Sequence, residues 1–151
     1  MSVEETRGRV DCGLDGVGPD ASPERFRGIR IFDISNIKKP KQVGAVQTCR
    51  GSHTHSVVAG PTADNKIIVY NSGTGRVREE DELDGCIGNI AGDTRTAYFS
   101  IDVIEIPIND PASSRIVSSP RVFADNDKGI IAGLWRGCLL YTSDAADDLT
   151  R

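Results

Sequence analysis

The chain has 151 residues, enough for one domain with a modest core. Its hydrophobic content of 38% includes only 5% aromatic residues, so any core is built from Val and Ile rather than from rings. A net charge of −4 excludes non-specific nucleic-acid binding, which needs clustered Lys and Arg, and no apolar run approaches the ~18 residues of a membrane span.

In chain order, residues 1–5 read as the end of a strand, and residues 6–24 as a loop rich in Gly and Pro without apolar period. Residues 26–34 form the clearest strand. Ile29 and Ile31 point to one face, Phe32 and Ile34 to the other, which predicts a strand covered on both sides. Asp33, Ser35, Asn36 and Pro40 carry turn chemistry. Residues 42–47 then return as an antiparallel partner. After the loop Cys49-Arg50-Gly51-Ser52, residues 53–59 and 66–72 read as a hairpin. Residues 73–94 form a long polar insertion. Residues 96–107 are predicted as another strand with apolar residues on both faces, followed by an Asn109-Asp110-Pro111 turn and a partner strand over 115–123 that Pro120 interrupts. Residues 125–133 are turn-rich, and Trp135 reads as a core or packing residue.

Residues 27–48 therefore recur, loosely, as residues 100–123. Ile29, Ile31, Phe32 and Ile34 match Ile101, Val103, Ile104 and Ile106, and Asp33 matches Glu105. A four-stranded antiparallel unit repeated along a chain is the mark of a β-propeller, whose blade period is ~40–45 residues; the insertion accounts for the longer spacing here. The expected fold is all-β: a β-propeller fragment of about one and a half to two blades. Residues 1–48 supply outer strands of one blade and 49–136 the following blade. A β-sandwich of similar hairpins is the alternative.

Residues 138–148, CLLYTSDAADD, resemble a sequencing adapter translated in one frame. The segment 137–151 is accordingly read as adapter-derived, with no native domain, and set aside from fold reasoning. On this reading the native protein is expected to continue past Gly137, and Met1 to be an internal methionine. The opening MSVEETRGR is then no signal peptide, without bearing on where the parent protein resides.

GIRIFDIS, a Pro-containing turn and QVGAVQT together resemble the repeat of bacterial LVIVD-repeat β-propeller proteins, over residues 1–136. QTCRGSHTHSVV, followed by the NSGTG and Cys86 segments, resembles one large subgroup of them. The resemblance implies a secreted, periplasmic or cell-surface propeller, mostly without assigned activity. It supports the fold more than the function.

Few residues carry chemistry. His53 and His55 are the only histidines; two apart on a strand, they share a face. On the innermost strand of a blade they would supply half of a site for a divalent transition metal such as zinc, copper or iron, or simply line a solvated channel. Cys49 and Cys86 flank the hairpin and insertion, and a bond between them would imply an oxidising compartment. Cys12 is an equally available partner, and three free thiols remain an alternative. The acidic run Glu79-Glu80-Asp81-Glu82 lacks calcium-loop spacing and reads as a solvated loop. Neither a phosphate-binding loop nor a serine elbow is present. The expected function is a non-catalytic binding or scaffold module for a protein or carbohydrate ligand, completed by further blades of its parent. The alternative is a propeller metalloprotein using His53 and His55.

Overall fold

The computed structural model describes residues 2–3, 8–88, 90 and 92–131, so the segment 137–151 and Trp135 lie outside the described residues. The chain is all-β, with no α-helix among the described residues. A three-stranded antiparallel sheet contains β1 (Ser2–Val3), β2 (Gly28–Asp33) and β3 (Lys41–Gln47). A four-stranded antiparallel meander follows, in the order β4 (Thr54–Ala59), β5 (Lys66–Ser72), β6 (Asp102–Pro107) and β7 (Arg115–Ser118). β8 (Ala124–Asp125) and β9 (Ile130–Ile131) form a short hairpin. A four-stranded unit beside part of a second is compatible with a propeller fragment.

The turn between β2 and β3 forms for the reason its residues suggest. Asp33 Oδ1 accepts the Ser35 amide at 2.8 Å and its hydroxyl at 2.6 Å, and Asn36 Oδ1 accepts the Lys38 amide at 3.2 Å. These short side chains satisfy amides that the ladder has released.

The two larger sheets share one core. Ile29 and Val46 from the first pack with Val69, Ile104 and Ile106 from the second, with Ile31, Ile67 and Ile116 at the margin. Period-two alternation puts Ile67 and Val69 on this face of β5, and Ile68 and Tyr70 on the other. Gly44 lets β3 approach a 3-10 turn at Pro111–Ser113, since a Cβ there would meet the Pro111 carbonyl.

Three strand expectations need correction. The strand predicted over 96–107 starts only at Asp102. Thr96 is buried, Phe99 adopts a φ of 55°, and the ladder survives upstream as one bridge between Ser100 and Arg121. The predicted partner strand likewise ends at Ser118. Coverage on both faces holds along β2, where Arg30 is buried opposite Ile29 and Phe32 is half-buried, but fails past its end and on the outer face of the second sheet. Ile34 lies beyond β2 and is 64% exposed, and on the outer face of the four-stranded sheet Tyr70 and Val117 are each 45% exposed. A bulge between Ile31 and Phe32 breaks the alternation that would have carried Ile34 inward.

Candidate functional site

Most polar organisation lies in the connections rather than in the strands. The long connection from β5 to β6, residues 73–101, is anchored near its middle by a disulfide between Cys49 and Cys86, whose Cα atoms are 5.3 Å apart. Cys12 is free and exposed; its φ of 62° and its contact with the Arg30 guanidinium, 2.8 Å from Sγ, hold it on the first sheet. Of the open cysteine pairings, 49 with 86 is the one formed. Such bonds persist in oxidising compartments.

The segment after Cys49 is zipped to the start of the same connection. The Arg78 amide donates to the Cys49 carbonyl at 3.0 Å, and the Gly75 amide to the Arg50 carbonyl at 3.1 Å. Arg50 returns its guanidinium to the Thr74 and Gly75 carbonyls, both at 2.9 Å, while lying 4.7 Å over the Tyr98 ring. Further out, the Ala97 amide donates to the Ile87 carbonyl at 2.8 Å and closes the loop on itself.

Glu82 is the residue that sequence reasoning misplaced. It belongs to the acidic run read as solvated, yet its side chain is 6% exposed. Its carboxylate accepts Arg25 Nε at 2.9 Å, Arg78 Nε at 2.7 Å and the Ser22 amide at 3.2 Å. Burial alone would raise its pKa; the hydrogen bonds from Arg25 and Ser22, with the charges of Arg78 and Arg25, prevail and hold it below the ordinary value. Arg78 also donates to Gln47 Oε1 at 2.6 Å and to the Arg25 carbonyl at 2.7 Å. This cluster joins the two long connections to each other. The only local signal was the i,i+4 spacing of Arg78 and Glu82 on a turn; Arg25 lies 57 residues away.

A second buried polar knot sits beneath the loops. The Thr48 hydroxyl and Asn71 Nδ2 both donate to the Gly51 carbonyl, at 2.7 and 3.2 Å. Asp102 accepts the Ser119 hydroxyl at 2.8 Å; burial raises its pKa against the pull of Ser119, Asn71 and Arg121.

The histidines stand apart from both clusters. β4 begins at Thr54, so His53 occupies the bend before it, its Nδ1 3.1 Å from the Thr54 hydroxyl, and only His55 lies on the strand, opposite Asn71. Both are exposed, as is all of β4. Among the described residues, no three His, Cys, Asp or Glu side chains converge as a metal-holding group. Glu79, Glu80 and Asp81 are exposed, as the solvated reading requires.

The locked connection leaves an open cleft of about 760 Å³, floored by Arg50, Tyr98 and Cys86 and walled by residues 74–80 and by Ile87, Gly88 and Ile90. A smaller pocket of about 340 Å³ lies across the Arg76–Glu79 segment, toward Pro19 and Arg27. The cleft volume is in the range of small-molecule sites, and its lining is mixed: guanidinium, carboxylate, one phenol ring and apolar patches. Such a surface offers van der Waals contact and hydrogen-bonding groups. No protein-family model, curated protein or solved structure matches this chain.

Proposed function

We propose that this chain is part of a secreted or cell-surface β-propeller of the LVIVD-repeat kind, and that its work is binding rather than catalysis. The observation that carries the reading is the cleft itself. A disulfide, the Arg50 contacts and the buried Glu82 cluster hold a long, strandless connection in one shape and leave an open polar surface on it. A rigid scaffold that presents a fixed loop surface is what a binding module requires, because ordering costs are met before the ligand arrives.

The test uses a blocking side chain. Gly88 lines the cleft and has open space where a Cβ would stand, so Gly88→Trp fills the cleft without displacing its walls. The purified chain is screened against immobilised bacterial polysaccharides and surface proteins, beside Gly88→Trp. Ligands retained by the parent chain and lost by the variant support the reading. Retention of every ligand by Gly88→Trp refutes the cleft as the seat, and turnover of a retained ligand refutes the non-catalytic assignment.

A further inference from the structure

Charge is distributed unevenly over this surface. The whole chain is acidic, at −4. The cleft and the adjoining pocket are not. Glu82 is shared by Arg25 and Arg78, so that cluster keeps one positive charge. Around it stand Arg27, Arg50 and Arg76 against Glu79 and Glu80, which adds another. Arg76 is exposed on the segment that separates the two hollows, and its guanidinium makes no hydrogen bond or ion pair among the described residues. Its backbone carbonyl is the fixed part, accepting Arg27 Nη1 at 3.1 Å. A cationic fork thus projects from a positioned backbone at the junction of both hollows.

Resting on the binding reading, we infer that the cleft takes a carboxylate-bearing sugar chain, of the uronate class, lying across the Arg76–Glu79 segment. The guanidinium of Arg76 receives the sugar carboxylate, for which its planar donors are suited. Glu79 and Glu80, which would repel a simple polyanion, instead accept hydrogen bonds from sugar hydroxyls. An extended peptide fits less well. Peptide capture draws on free backbone groups, and here the amides of Gly75 and Arg78 are already spent on the Arg50 and Cys49 carbonyls. The pocket of about 340 Å³ is large enough for one sugar unit beside Arg27.

The experiment is titration calorimetry of the intact, oxidised chain at low salt with four probes: hexagalacturonate, neutral maltohexaose, hexaglutamate and inorganic sulfate. The expected result is binding of hexagalacturonate over the other three. Arg76→Gln should weaken it about tenfold, the equivalent of one charge-assisted contact. Glu79→Gln with Glu80→Gln should leave it unchanged or weaker, because hydroxyl acceptors are altered. Tightening in that double variant would mean a plain anion site and overturn the inference. Equal binding of maltohexaose, insensitive to Arg76→Gln, would also overturn it while leaving the binding reading intact. Preference for hexaglutamate would point to an acidic peptide instead. Failure of all four probes overturns the uronate assignment, and the Gly88→Trp screen then judges the binding reading separately. Arg76 is exposed and holds its neighbour through its backbone, so unchanged thermal melting of Arg76→Gln excludes misfolding as the cause of any loss.

Discussion

Replacing Glu82 by Gln removes one charge from the most enclosed ionic cluster of the described chain and keeps the shape of the side chain. In the native protein the carboxylate takes Arg25 Nε, Arg78 Nε and the Ser22 amide, with guanidinium side chains 3% and 0% exposed. The variant leaves two enclosed cations with no counter-charge: the amide oxygen accepts from one guanidinium, and the NH₂ is turned against the other. Removing one partner of a buried pair costs about 3–5 kcal/mol, because the remaining charge is left uncompensated. For a domain of this size that is about 6–20 °C in melting temperature. The control is Glu80→Gln, three-atom chemistry identical but on an exposed neighbour, expected to change stability by less than about 0.5 kcal/mol. Urea unfolding followed by circular dichroism measures both. The pH dependence gives a second check. Glu82 titrates below its unfolded value of 4.5, so its contribution is fully present above that pH and is lost as pH falls through the depressed folded value. The stability gap between parent and Glu82→Gln should therefore narrow below about pH 4.5. A gap of less than 1 kcal/mol at neutral pH, or one that widens on acidification, would refute this reasoning.

Two further outcomes are expected. Opening the Cys49–Cys86 bond releases a loop of 37 residues, which by chain entropy lowers stability by roughly 4 kcal/mol; melting with and without reductant measures it, and the mass gained on reduction should be that of two hydrogens. Ile104→Ala, at a fully buried position shared by both sheets, should cost about 2–5 kcal/mol, whereas Ile34→Ala at 64% exposure should change urea midpoints little; equal effects would mean that the sheets do not pack through Ile104.

The strands were legible because their signal is local. Ile29 and Ile31 in β2, or Ile67 and Val69 in β5, declare a face by period two, and Asp33, Ser35 and Asn36 declare the turn between β2 and β3. Local pattern also misled. Residues 96–101 carry Tyr98 and Phe99 and look extended, but the chain turns there with Phe99 at positive φ. Tyr98 meets Arg50 rather than a sheet neighbour. The candidate site was hardly legible, since its parts are scattered. Arg25 and Arg50 come from outside the connection that holds Arg78, Glu82, Cys86 and Tyr98, and beyond the i,i+4 spacing of Arg78 and Glu82 no spacing rule joins them. The acidic run looked like one solvated patch because charge density along a sequence does not reveal which member turns inward. Histidine, the conspicuous residue type, drew attention to β4, while arginine built the clusters.

The placement of these clusters follows from the packing of the two larger sheets. Each sheet sends out a long connection: one leads into β2 through residues 8–27, and the other joins β5 to β6. Stacking the sheets through Ile29, Val46 and Ile104 brings those connections side by side. Arg25 and Arg27 come from the first, Arg76, Arg78 and Glu82 from the second, so the second carries the acid with one of its guanidinium partners and the first supplies the other. The Arg25–Glu82 pair and the Arg27 bond to the Arg76 carbonyl are therefore contacts between the two connections, formed only where the sheets adjoin. The cleft inherits that dependence, since its Arg76 wall is held by Arg27 of the other connection. Either sheet excised with its own connection should lose the shape of the surface along with part of its charge, whereas the adjoining sheets supply both at once. In this chain the β-ladders set the spacing, and the chemistry resides at the joint between them.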